Sequence, residues 1–138
     1  MRIAVSTEDG KKLTNDHFGE GKVFLIYEIT EKGYRLLEKR ENTSPEEDEH
    51  GSEKKAQGIA SILMDIPILL GFQFGPNIMR IKDKFLPIVS RERDIKKALH
   101  LLLKHYKTLK EAEGERGIVL ILNEDELKKV VIKNGKGF

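Results

Sequence analysis

The sequence predicts an α/β domain built on a mixed, mostly parallel sheet. Three observations predict it. A β-hairpin pattern near the start is followed by strand-length apolar runs that alternate with stretches of helical period. The 138 residues are 38% hydrophobic and 35% charged, which allows a real core beneath a heavily charged surface. Cysteine is absent, so no disulfide and no thiolate-held metal takes part in the fold.

Arg2 to Ser6 is a short apolar run suited to a buried strand. Thr7 to Asn15 is polar, with Asp9-Gly10 as turn chemistry. Lys22 to Thr30 is rich in β-branched and aromatic residues: Val23, Leu25, Tyr27 and Ile29 share one face, and Phe24, Ile26 and Glu28 the other. Glu31-Lys32-Gly33 turns the chain, and Tyr34 to Glu41 reads as the return strand. Asn42 to Ser52 reads as a mobile loop with an acidic cluster and His50-Gly51.

From Glu53 the period changes. Ala56, Ile59, Ala60 and Leu63 fall on one helical face. Pro67 to Phe72 is a continuous apolar strand, expected to be covered on both faces. Gly75-Pro76-Asn77 starts a short helix that buries Ile78, Ile81 and Phe85. Leu86 to Val89 is the next strand. Ser90 is the expected N-cap of the longest helix, whose buried stripe is Ile95, Ala98, Leu99, Leu102, Tyr106 and Leu109. Glu113-Gly114-Glu115 ends that helix. A tail follows: an apolar strand from Gly117 to Leu122, a helical turn from Asn123 to Leu127 capped by Asn123, and a strand from Val130 to Lys133. Residues 1–107 thus form the main domain, with one antiparallel strand, and residues 108–138 a β-rich C-terminal extension.

The formal net charge is only +2, with acidic and basic groups interleaved, so no nucleic-acid partner is expected. No signal-peptide pattern precedes the first strand and no apolar run is long enough to span a bilayer. The expectation is a cytoplasmic protein without a membrane partner. Lys and Glu in quantity, with neither Cys nor Trp, fit a thermophile.

Ligands of such sheets usually bind at the carboxyl ends of the strands. Two loops leave strands there. One holds Asp16-His17-Phe18-Gly19: imidazole is a metal ligand and a proton carrier, Phe18 can anchor the loop in the core, and Gly19 permits a tight bend. A histidine that only hydrogen-bonds its loop is the plainer alternative. The other holds Gly71-Phe72-Gln73-Phe74-Gly75-Pro76-Asn77, whose glycines admit close approach and whose following helix start favours an anion. Its plainer alternative is a turn that needs Gly and Pro for geometry alone. His50 and the acidic residues beside it are candidate cation ligands without fixed spacing. His100 and His105 read as surface residues, and Met79 as packing. No nucleophile elbow, Walker loop or HExxH is present. A ribonuclease H-like nuclease needs clustered carboxylates on its first strand, and Arg2 to Ser6 has none.

Met1 to Ser6, Asp16 to Gly19, Phe24 to Glu28 and Gly71 to Asn77, in this order and spacing, resemble the dinitrogenase iron–molybdenum cofactor-binding family, the NifX-like domain also found at the end of NifB-type proteins. The resemblance runs from Met1 to about Tyr106. It implies a three-layer ribonuclease H-like domain without nuclease activity. It also implies a non-enzymatic carrier for an iron–molybdenum cofactor or its iron–sulfur precursor. His17 is then the candidate cluster ligand, Phe18 and Gly19 complete its loop, and Gly71, Gly75, Pro76 and Asn77 line the same cleft. His50 matches the His/Gly-rich segment of the family. Two features depart from the pattern: no cysteine stands near the glycine loop, and Phe72 replaces the second glycine of the usual pair, with bulky Phe74 close behind. The alternatives are a small-anion or phosphate-binding module at Gly75 to Asn77, and an interaction protein that forms a homodimer through its C-terminal extension.

Overall fold

The computed structural model describes residues 1–45 and 53–133. Seven strands form one sheet: β1 (Arg2–Thr7), β2 (Val23–Thr30), β3 (Gly33–Glu41), β4 (Ile68–Gly71), β5 (Leu86–Ser90), β6 (Ile118–Leu122) and β7 (Leu127–Val131). Their order is β3-β2-β1-β4-β5-β6-β7. The pairs β1–β4, β4–β5 and β5–β6 are parallel, while the hairpins β1–β2, β2–β3 and β6–β7 are antiparallel. Five strands therefore run one way, and β2 and β7 run the other. The expected single antiparallel strand becomes two because the tail closes with a hairpin.

Two apolar layers cover the sheet. Ile3, Val5, Val23, Leu25, Leu70, Ile88 and Leu120 lie on one face with helices α3 (Ile95–Lys104) and α4 (Tyr106–Ala112). Ala4, Phe24, Ile26, Leu69, Val89 and Val119 lie on the other with α1 (Glu53–Ile62) and α2 (Ile78–Ile81). Helices on both faces make β1, β4, β5 and β6 continuous apolar runs rather than alternating ones. The faces expected for the β2 residues are the faces they take. The stripes of Ile78, Ile81 and Phe85 and of Ile95, Ala98, Leu99 and Leu102 are buried as the helical period requires. No helix among the described residues is long and apolar enough to cross a membrane.

Four local expectations change. The cap of α3 is Asp94, not Ser90: Asp94 is extended and its carboxylate accepts from the Lys97 N–H. Ser90 is still inside β5, and its hydroxyl exchanges hydrogen bonds with Glu92. The longest helix breaks at His105, which leaves helical geometry at φ −110° and ψ 28°. His105 itself is half-buried, and its Nε2 is buried without a hydrogen-bond partner, so it is not the surface residue expected. Asn123 to Leu127 is no helical turn but the loop and first pairing residue of the β6–β7 hairpin, in which the Asn123 side chain accepts from the N–H groups of Asp125 and Glu126. The last strand accordingly begins at Leu127 rather than Val130.

The apolar tail strand finds its partner inside the chain. Ile88 pairs with Leu120, Val89 with Ile121 and Ser90 with Leu122, and β7 covers the other side. At the opposite edge β3 is exposed and charged, which discourages further strand pairing. Arg40 ties it down: its guanidinium donates to both carboxylate oxygens of Asp65, at 2.7 and 2.8 Å, and to the Ile62 carbonyl at the end of α1.

Two predictions follow from this packing. Leu120→Ala, at a fully buried β6 position, will cost about 2–5 kcal/mol in urea unfolding. Val131→Ala, at an exposed β7 position, will stay within about 0.5 kcal/mol. Equal effects would mean that the tail is not part of the core. The Arg40 hydrogen bonds hold the Asp65 carboxyl down at about 2, against an ordinary 3.8. Its contribution is therefore complete above the ordinary carboxylate range and is lost as pH falls toward 2. Asp65 is half exposed and screened, so Asp65→Asn will cost at most about 1 kcal/mol near neutrality. The difference from wild type will vanish in unfolding curves at the acid end.

Candidate functional site

The chain leaves β1 toward β2 on one side and β4 toward β5 on the other, so the sheet's switch point lies between β1 and β4. Val5 pairs with Leu70, which brings the carboxyl ends of the two strands side by side. The crevice outside such a point is the usual ligand position in open α/β sheets.

The two loops meet there as a short extra ladder. His17 pairs with Gln73 in a parallel bridge, and the Phe18 N–H donates to the Gln73 carbonyl at 2.8 Å. The Gln73 side chain donates to the Asn15 carbonyl at 2.7 Å. Beneath this seam, Phe18 is fully buried and stacks between Phe24 and Phe74, with centroid separations of 5.3 and 5.0 Å. Phe18 is thus the loop's anchor, its ring fully buried in the core. Phe74 is buried in the same stack. Phe72 turns to the other face, where Arg93 lies over its ring at 5.8 Å. The two bulky residues thus pack on opposite faces of the sheet.

The glycines of both loops stand where another chain element comes close. A Cβ on Gly71 would be 3.0 Å from the Phe18 ring. One on Gly19, in the 3-10 turn Phe18–Glu20, would be 2.4 Å from Ile59 of α1. Gly75 has a φ of +71°, and a Cβ there would stand 2.4, 2.5 and 2.7 Å from Nδ1, Cε1 and Cγ of His17. Those nearly equal distances mean that the face of the imidazole, rather than one edge, rests on Gly75. His17 is half-buried, and its backbone N–H is held by the Asp16 carboxylate at 2.8 Å.

Several residues that the sequence did not single out hold this arrangement. Ser6, at the end of β1, donates to the Phe18 carbonyl at 2.6 Å. Asn42, expected to begin a mobile loop, donates to the carbonyls of Gly19 and Gly21, each at 2.7 Å. Lys55 of α1 is buried against the same turn, 3.5 Å from the Glu20 carboxylate. Arg93 donates through two nitrogens to the Leu13 carbonyl and so ties the first loop to the loop after β5. The only sequence signal for any of these is a polar residue next to an apolar run, which does not name its partner.

Of the other candidates, Pro76 sits in the first turn of the 3-10 segment Gly75–Asn77, as its fixed φ requires. Asn77 is buried, and its side-chain amide oxygen accepts from the Arg80 guanidinium. At the helix start expected to favour an anion, the Ile78 N–H donates to the Gly75 and Pro76 carbonyls, and α2 is only four residues long. His50 lies outside the described residues, as does the acidic cluster before it. Among the described residues no three His, Cys, Asp or Glu side chains gather closely enough to hold a metal ion.

The model of a protein family described as dinitrogenase iron-molybdenum cofactor matches residues 1–105. The match takes in β1 to β5 and α1 to α3 and ends at the His105 break. No curated protein matches the chain.

Gly75→Ala will cost more than about 1 kcal/mol, because the new methyl meets both a left-handed backbone and the His17 ring. The His17 imidazole resonances will shift in the same variant. Unchanged resonances with a stable fold would show that the ring does not lie on Gly75.

Proposed function

The chain belongs to the dinitrogenase iron-molybdenum cofactor family, and from that premise we propose that it is a non-enzymatic carrier for an iron–molybdenum or iron–sulfur cluster, held as cargo where His17 meets the Gly75 loop. The observation that carries this reading is the packing of the His17 imidazole on Gly75 at the switch point of the sheet. The donor chemistry agrees with cargo rather than with a resident centre. Building a cluster from ions needs several ligands, usually thiolates, and the chain has no cysteine. A single imidazole can add one bond to a cluster already assembled elsewhere. Gly71 and Gly75 leave room for the Phe18 and His17 rings and so set where the imidazole stands. One ligand also makes release easy, as a carrier requires. The strand order β3-β2-β1-β4-β5, with helices on both faces, supports reading the domain as ribonuclease H-like. β1 offers no carboxylate for nuclease metals. A cytoplasmic setting suits the same role.

The test is anaerobic incubation of the purified protein with isolated iron–molybdenum cofactor, followed by gel filtration, metal analysis and visible absorbance. Wild type will retain molybdenum and iron and gain absorbance. His17→Ala will lose at least about tenfold in retained metal at unchanged helical content, as expected for loss of a direct ligand. Equal retention by the two proteins would remove His17 from the site.

A further inference from the structure

The buried face of α1 begins with a charge. Its covered positions recur every four residues, at Lys55, Ile59 and, just past the helix, Leu63. A lysine thus stands at the site end of an otherwise apolar stripe, only 2% exposed. Burying an ammonium is costly, and a buried ion pair is seldom more stable than the apolar residues that would replace it. Packing alone would be served by a leucine or a methionine. The backbone beside Lys55 does not call for another donor either. The His17 carbonyl accepts from the Glu20 N–H, the Phe18 carbonyl from Ser6, and the Gly19 and Gly21 carbonyls from Asn42. The charge meets a side chain instead. The Lys55 stem passes Gly19, where a Cβ would stand 3.0 Å from its Cε, and its ammonium lies 3.5 Å from the Glu20 carboxylate.

We infer that Lys55 is a positioning residue for His17, and that its charge rather than its bulk does the positioning. Glu20 closes the 3-10 turn Phe18–Glu20, since its backbone N–H donates to the His17 carbonyl at 2.8 Å. Its side chain is the handle by which α1 grips that turn. Phe18 fixes the turn from the core side, while Ser6 and Asn42 fix its inner carbonyls. Those contacts keep Phe18 buried with or without the ion pair. They do not hold the end that carries Glu20 against α1. When that end turns away, the His17 carbonyl follows the N–H it accepts from, and the imidazole shifts on Gly75. The seat there is tight, because a Cβ on Gly75 would stand 2.4 to 2.7 Å from three atoms of the ring. An apolar side chain at position 55 would fill the same space beside Gly19 and leave Glu20 to water. The inference rests on the carrier reading for what His17 does, but not for where His17 stands.

The experiment uses the full chain and three variants. Lys55→Met keeps the stem and removes the charge, Glu20→Gln removes the other half of the pair, and Leu63→Ala weakens the same stripe away from the turn. The first readout is the carbon and proton resonances of the His17 imidazole in protein without cofactor, beside the melting temperature. Lys55→Met and Glu20→Gln will shift these resonances in the same direction, and the double variant will shift them no further, as members of one pair require. Leu63→Ala will lower the melting temperature and leave the resonances in place. The second readout is retention of isolated iron–molybdenum cofactor through gel filtration. Lys55→Met and Glu20→Gln will each lose about tenfold, the lower end for groups that orient a metal ligand. Unmoved His17 resonances in the two pair variants overturn the inference. An equal shift in Leu63→Ala overturns it too, since the effect would then be a general loosening of the fold. If Lys55→Met does not fold, Glu20→Gln decides, because its side chain is 25% exposed and reaches water. If wild type retains no cofactor, the carrier reading fails, and the His17 resonances still decide the role of Lys55.

Discussion

The stack of Phe18 between Phe24 and Phe74 is the interaction on which the rest of this end of the molecule depends. Burying one such ring is worth about 1.5–3 kcal/mol, and stacked pairs add about 0.5–1.5. More important than its size is what it joins. Phe18 belongs to the loop after β1, Phe24 to β2 and Phe74 to the loop after β4. With Phe18 in place, the His17 backbone is held against Gln73 and the face of the imidazole lies on Gly75. The glycines at 71 and 75 are the complement of that constraint, since a side chain at either would push against the ring it receives.

Around the stack, polar groups are satisfied by long-range partners. Ser6, Asn42 and Arg93 come from three different parts of the chain, and each bonds a carbonyl of the first loop or the turn that ends it. A loop held in this way presents a preformed surface, because the backbone groups that would favour water are already paired. A preformed surface of this kind agrees with the carrier role proposed above.

The second constraint is the addition of β6 to the sheet. The family match ends at His105, yet the core does not. Leu109, Ala112, Leu120, Leu122 and Leu127 belong to the same apolar layer as Ile3 and Leu70. The tail thereby covers β5 and brings the β6–β7 loop alongside α3, where the two enclose a groove lined by acidic and basic side chains alike.

By itself the sequence determined the two-faced apolar layers, the strand and helix order, and the two loops that share one end of the sheet. Those features rest on period and turn chemistry, which are local. It also contained the motifs that identify the family. Only the tertiary structure decided that Phe18 stacks between Phe24 and Phe74, that Phe72 and Phe74 diverge, that Asp94 rather than Ser90 caps α3, and that His105 breaks the long helix. It alone joined the tail to β5 and turned Asn123 into a hairpin residue. The physical reason is the same in each case. A residue's period states which face is buried, but not what it is buried against. Ser90 and Asp94 are equally good caps until the length of β5, set by pairing with residues more than thirty positions away, leaves only one of them at the helix start.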